Sequence, residues 1–157
     1  MSTQFKFELK HVFSYNGTLA PPEIIGPVPD DIRVNFYVTG GDVWLPDGTK
    51  IGKLKPVGGD WLTVRSDNQA VLDVRATVEM NDGALLYVVY NGLLDLGEGG
   101  YDNLCRGKFP ERARIRAAPR VLTSSPTYAW LNSSQLFNVG EVEFNKGRVA
   151  YDVYAAP

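Results

Sequence analysis

From Phe5 to Tyr15 the chain alternates: Phe5, Phe7, Leu9, His11, Phe13 and Tyr15 share one parity, and Lys6, Glu8, Lys10 and Ser14 share the other. A period of two belongs to a strand with one buried face, so "FKFELKHVFSY" predicts the first strand. The stretch "NGTLAPPEIIGPVPDD" then carries four of the ten prolines. Proline fixes φ and removes a donor, so this stretch predicts a long ordered loop able to cover one end of a sheet. Alternation resumes in "IRVNFYVTG", with Val34, Phe36 and Val38 set against Arg33, Asn35, Tyr37 and Thr39. "PDG", at Pro46 to Gly48, is a turn before "TKIGKLKPV".

Two glycines, Gly58 and Gly59, precede "DWLTVR", in which Asp60, Leu62 and Val64 share one parity and Trp61 takes the other. A polar turn, "SDNQ", leads into "AVLDVRATVEM", with Ala70, Leu72, Val74, Ala76 and Val78 on one face and Val71, Asp73, Arg75, Thr77 and Glu79 on the other. "NDG" joins it to "ALLYVVYNG", because Asp-Gly adopts the positive φ of a tight hairpin. In "LDLGEGGYDNLCRGKFPE" alternation ceases, which predicts a glycine-rich loop with one short helical turn near Tyr101 to Arg106, a second cover. "RARIRAAPRVL", "TYAWLN", "GEVEF" and "RVAYDVYAA" predict further strands, the last two joined by "NKG". About nine or ten short strands with closely spaced turns and no strongly amphipathic helix predict an all-β fold, preferably a single antiparallel barrel over residues 1–157 rather than a sandwich.

A chain of 157 residues that is 44% hydrophobic and 22% charged can bury a core without disulfides or metals to hold it. A net charge of -2, with arginines scattered among acids, argues against nucleic acid as the main partner. The single cysteine, Cys105, cannot form an internal disulfide, and with one histidine it leaves no soft-ligand zinc site, so no metal or cofactor is expected. "NLCRG" offers no neighbouring histidine to activate that thiol. The N-terminus lacks the pattern of a signal peptide and no apolar run is long enough for a bilayer, so the expectation is a cytoplasmic protein with no membrane partner.

The order of "TGG", "GGDW", "LDVRATVEMNDGALLYV", "IRAAPR", "YAWLN" and "VAYDVY" resembles the bacterial and fungal family catalogued as domain of unknown function 3237. The resemblance runs from about Arg33 to Tyr154 and implies a small β-barrel of calycin-like type. It carries that family's recurring polar positions onto Asp60, Asp73, Arg75, Asp82, Arg116 and Asn132, and its aromatics onto Trp61, Tyr128 and Trp130. Two departures imply a different pocket: Val121-Leu122 follow "PR" where the family often has an aromatic, and "DVWLPDGT" replaces a shorter glycine-rich turn.

The chain has no Gly-x-Ser-x-Gly elbow, phosphate loop, dinucleotide fingerprint or zinc spacing, which leaves acid–base work or orientation by Asp, Glu, His, Tyr and Arg. Asp60, on the parity of Leu62 and Val64, either enters an apolar lumen, where desolvation raises its pKa towards neutrality, or caps the glycine turn. Arg75 shares a face with Asp73, Thr77 and Glu79. It is a surface ion-pair member unless that face lines the lumen, in which case it holds an anionic or enolate-like oxygen beside Asp60; the resemblance favours the second. Arg112, Arg114 and Arg116 pose the same choice. His11 is either a satisfied core histidine or a catalytic one. Tyr128, Trp130 and Asn132 either hold a planar ring and its oxygen or belong to the core, with Asn132 turning the chain. Arg33, Tyr37 and Trp61 complete the candidate substrate contacts, although parity sets Trp61 opposite Asp60.

These residues predict a cofactor-independent isomerase, cyclase, hydratase or lyase for an oxygenated, partly apolar compound, with Asp60 and Arg75 catalytic. A non-catalytic barrel that binds such a ligand is the alternative, and a purely structural module a third. A homo-oligomer is expected on either of the first two readings, since an apolar outer sheet face needs covering.

Overall fold

The computed structural model describes residues 2 and 4–156. Alternating segments become eleven strands: β1 (Lys10–Leu19), β2 (Glu23–Val28), β3 (Asp31–Gly40), β4 (Asp42–Trp44), β5 (Lys50–Val64), β6 (Gln69–Met80), β7 (Leu85–Asp95), β8 (Arg112–Ala117), β9 (Arg120–Leu122), β10 (Gln135–Glu143) and β11 (Arg148–Ala156). One short helix, α1 (Gly100–Cys105), and two 3-10 turns, Ala129–Ser133 and Phe144–Lys146, complete the described elements.

Eight strands close a ring of antiparallel pairs, β1-β3-β5-β6-β7-β8-β10-β11, in which β11 returns to β1. The predicted barrel is the observed fold. The other three strands are additions: β4 bridges β1 and β5, β2 lies along β3, and β9 pairs with the part of β7 that β8 has left. No described helix is long and apolar enough to cross a membrane.

The predicted inward parity holds through the middle of the chain. Ile32, Val34 and Phe36 of β3, Leu62 and Val64 of β5, and Leu72 and Val74 of β6 are all buried. Each contributes about 1.5–3 kcal/mol of apolar burial. Towards one end of the barrel these residues pack with Leu104 of α1 and with the stacked rings of Phe109 and Phe144, 4.8 Å apart. Towards the other, Phe13, Leu54, Met80 and Leu136 pack with Leu131 of the first 3-10 turn.

The N-terminal prediction needs correction. The strand begins at Lys10, and Phe5, Phe7 and Leu9 are 86%, 70% and 47% exposed. Lys10 already faces Ala155 near the end of β11, and the described residues 4–9 before it pair with no strand. A register shift between His11 and Phe13 then breaks the parity that the two shared.

The proline-rich stretch is also more ordered in strands than its composition suggested. β1 runs on to Leu19 and β2 pairs with β3, with a bulge between Ile24 and Gly26, where Gly26 takes φ 96°. Proline at position 27 is tolerated because β2 is an edge strand. "TYAWLN" forms a 3-10 turn instead of a strand, and "RARIRAAPRVL" splits into β8 and β9 around Ala118-Pro119. The strand predicted as "GEVEF" starts earlier, at Gln135.

Candidate functional site

The glycine pair decides where Asp60 goes. Leu54 of β5 faces Val78 of β6, and the next matched pair is Gly58 with Ala76, so β5 spends two more residues than β6 on that interval and bulges outward. Gly58 closes the bulge at φ 83°, a conformation that side chains disfavour, and a Cβ there would fall 2.2 Å from the Arg75 carbonyl oxygen. A Cβ on Gly59 would fall 2.2 Å from the Phe36 carbonyl oxygen on the other side. Two bare residues thus let β3, β5 and β6 close up, and Asp60 emerges opposite Phe36 and Val74 with its side chain on the cavity wall.

The Asp73 amide donates to Asp60 Oδ1 at 2.9 Å. Asp60 retains some accessible surface, yet its surroundings are dense enough that burial raises its pKa to about 7. The Asp73 amide opposes that rise and the Asp73 carboxylate adds to it. Asp60 therefore does not cap the glycine turn as one reading expected: one oxygen accepts from the Asp73 amide of β6 while the group faces an apolar space.

Four further polar side chains enter the same space. Asn138 Nδ2 of β10 donates to the Tyr15 hydroxyl of β1 at 2.8 Å, and the Tyr15 hydroxyl donates to Tyr90 of β7 at 3.1 Å. Tyr151 of β11 lies against both rings, with centroids 5.0 Å from Tyr15 and 6.0 Å from Tyr90. Burial pushes all three phenols well above their usual pKa. The charge of a neighbouring tyrosine adds to each rise, while the hydrogen bond of Tyr15 opposes it at Tyr90 and that of Tyr90 opposes it at Tyr151; the Asp60 carboxylate raises Tyr90 and Tyr151 further, which places it in their electrostatic neighbourhood. The tyrosines consequently remain protonated donors at neutral pH, while Asp60 can exchange its proton there. The cavity has about 1130 Å³ of empty space, part of it open to solvent, and is otherwise walled mainly by aliphatic side chains such as Leu62, Val74, Val78, Leu86 and Leu136.

Of the residues expected from sequence, only Asp60 reaches this space with a polar group. Arg75 joins Asp60 only if the polar face of its strand lines the lumen; β6 turns that face outward, and Arg75 is exposed beside Gly59. Arg33 donates to Thr63 Oγ1 at 2.7 Å on the exterior, and exposed Arg116 donates to the Ile115 carbonyl oxygen. Tyr37 donates to Glu23 at 2.5 Å and meets Trp61 edge to face at 6.4 Å, so Trp61 faces away from Asp60, as its parity indicated. His11, turned out by the register shift, has Nε2 within 2.9 Å of the Phe13 carbonyl oxygen, 3.0 Å of Ser14 Oγ and 3.6 Å of Asp152.

The "YAWLN" residues close one end of the barrel. Trp130 stacks on Phe13 at 5.8 Å, Tyr128 packs against the same cluster, and Leu131 alone of the five reaches the cavity. Asn132 clasps the Thr123 backbone, accepting from its N–H at 2.8 Å and donating to its carbonyl at 2.9 Å. It turns the chain.

Sequence reasoning missed Tyr15, Tyr151 and Asn138 as site residues and did not single out Tyr90. One signal was available: Asn138 shares parity with Leu136 and Val142, a lone amide on an apolar face. Among the described residues no group of three or more His, Cys, Asp or Glu side chains comes together as a metal site.

Residues 7–156 match the sequence profile of the family described as "Protein of unknown function (DUF3237)". A UPF0311 protein of Clostridium acetobutylicum is 31% identical over 128 residues, 78% of each chain. A β-barrel-like protein of Acinetobacter baumannii is similar in structure, with a TM-score of 0.79 and 27% identity over the whole of both chains. An enzyme from Penicillium herquei shares the fold at a TM-score of 0.68 and 20% identity, covering 100% of this chain and 99% of its own. With a matching profile along nearly its whole length and relatives that share the barrel, the chain belongs to the DUF3237 family.

Proposed function

We propose that the barrel lumen is the active site of a cofactor-independent enzyme, an isomerase, cyclase, hydratase or lyase, acting on an oxygenated, partly apolar compound. The observation that carries this reading is one carboxyl group with a pKa of about 7, anchored by a backbone amide and facing an apolar cavity beside three protonated tyrosines. A group that ionises near the working pH is suited both to take and to return a proton. Tyr90 and Tyr151, which feel the Asp60 charge, are the phenols to donate to an oxygen as negative charge develops on it. On this reading they take the part expected of Arg75 with Asn132. Aliphatic walls hold the carbon skeleton and keep the local dielectric low, which strengthens each of these polar contacts.

The preponderance of apolar lining also favours a second reading, a barrel that binds such a ligand without turning it over. A thermal-shift screen of small oxygenated cyclic compounds supplies a ligand, and turnover and binding are then measured separately for Asp60→Asn. Lost turnover with intact binding supports the enzyme. Turnover that survives removes Asp60 from the chemistry, and a wild-type protein that binds without converting any ligand of the screen is a carrier.

A further inference from the structure

Asn138 is 1% exposed and lines the cavity, and its two amide atoms are treated differently. Nδ2 is committed to Tyr15, whereas Oδ1 is fully buried with no hydrogen-bond partner. The orientation of the amide matches the chain of phenols: the Tyr15 hydroxyl donates to Tyr90, so its oxygen accepts from Nδ2, and reversing the amide would require the Tyr15–Tyr90 bond to reverse its direction as well. A buried carbonyl oxygen without a partner is costly, and the large majority of such groups in folded proteins are satisfied. The Tyr15 and Tyr90 oxygens and Asp60 Oδ1 each accept from a protein donor. Asn138 Oδ1 is the buried side-chain acceptor among the described residues that has none.

We infer that Asn138 Oδ1 is a specificity determinant that receives a hydrogen bond from the ligand, so that the lumen selects neutral, largely apolar molecules bearing a hydroxyl or N–H donor over their ether or hydrocarbon counterparts. This rests on the lumen being the ligand site and deepens that reading: the tyrosines and Asp60 serve an oxygen of the ligand as acceptor, and Asn138 serves a donor on it. An alcohol satisfies Oδ1 and relieves the buried acceptor. A methyl ether of the same skeleton brings another acceptor and leaves it unpaired.

The test uses three small probes with one skeleton, 1-indanol, 1-methoxyindane and 1-indanone, titrated calorimetrically into the full chain. In the wild type the alcohol should bind at least about tenfold more tightly than the ether, the size expected from pairing one buried acceptor. Asn138→Leu, close in volume, should weaken the alcohol by about the same factor, leave ether and ketone unchanged and abolish the preference. Asp60→Asn should keep the preference.

Equal binding of alcohol and ether to the wild type overturns the inference, and this comparison needs no variant, so a misfolded Asn138→Leu does not remove the test. A preference that survives Asn138→Leu overturns it too. If that surviving preference disappears in Asp60→Asn, the donor is read by Asp60, and the Asp60 reading stands while the Asn138 assignment falls. Failure of all three probes to bind the wild type up to their solubility limits removes the lumen as a ligand site, and both readings go with it.

Discussion

Asp60 in the folded chain holds its proton up to about pH 7, whereas its ordinary pKa is 3.8. Between those values the unfolded chain has released a proton that the native state still binds, so stability must fall as pH rises through this window and level off above it. The width of that window sets an upper bound of roughly 4 kcal/mol on the loss. Asp60→Asn keeps an acceptor for the Asp73 amide and removes the charge. Its urea midpoint should therefore lie well above the wild type's at pH 8 and close to it at pH 4, with a flatter profile between; identical pH profiles would remove the buried charge from the account. On the proposed enzyme reading, the same displaced pKa would set the pH dependence of turnover. If Asp60 acts as the base, turnover rises with pH through about 7 and then levels off, and if it acts as the acid, turnover falls through the same region. The tyrosines, pushed well above their usual range, add no second limb near neutrality. Tyr151→Phe, which removes a donor without changing the ring, should lower turnover about 10- to 100-fold in that assay and leave ligand affinity within a few-fold, if the phenol serves developing charge. At this scale the sequence revealed Asp60 through its parity and the apolar residues beyond it. It could not reveal that Tyr15, Tyr90, Tyr151 and Asn138 meet, because they come from four strands spread along the chain and only closure of the barrel brings them together.

Parity predicts an element well where the element is regular and fails at bulges and ends. β3 and β6 are legible face by face because each keeps an unbroken register with one neighbour, β3 with β5 and β6 with β7, and the bulges facing them in β2 and β5 belong to those partner strands. β1 is misread on one side of the shift between His11 and Phe13, which a period-two pattern cannot register, and the lone histidine is therefore half-buried beside Ser14 and Asp152 rather than in the core. "TYAWLN" mimics a strand in composition, yet its amide at Asn132 binds the Thr123 backbone and bends the segment back on itself. Asn132→Ala frees two backbone groups from that clasp and should cost about 1–2 kcal/mol in urea unfolding, with no effect on the Asp60 titration. The bulge of β5 has a larger task, since it delivers Asp60 to the lumen. Gly59→Ala forces a Cβ against the Phe36 carbonyl, where backbone must move, so a loss of at least about 2 kcal/mol is expected, accompanied by weaker ligand binding as β5 parts from β3. A neutral Gly59→Ala would show that the strands are not as closely apposed as these distances require.

The barrel is closed by the two ends of the chain. β1 and β11 pair from Lys10 with Ala155 to Thr18 with Arg148, and the lumen is bounded on that side by Tyr15 and Tyr151, one from each of these strands. Closure and site are therefore one structural event: without β11 the cavity loses a wall, a phenol and the partner of both β1 and β10, leaving two unpaired edges in place of a ring. Sequence could specify an antiparallel barrel from alternation and turns, but which strands meet at the seam is a non-local fact that period-two patterning does not encode. The seam makes opposite predictions for the two termini. The described residues 4–9 lie before the first residue paired in β1, and the apolar side chains of Phe5, Phe7 and Leu9 are exposed, so a chain lacking residues 4–9 should melt within about 2 °C of the full chain and bind the same ligand. A chain ending at Gly147 removes the seam altogether. It should lose the cooperative thermal transition and expose apolar lumen to a hydrophobic dye, since the buried faces of β1 and β10 no longer have a strand between them. Retention of a sharp transition in that shorter chain, which keeps Tyr15 and Tyr90 but not Tyr151, would show that the sheet holds together open.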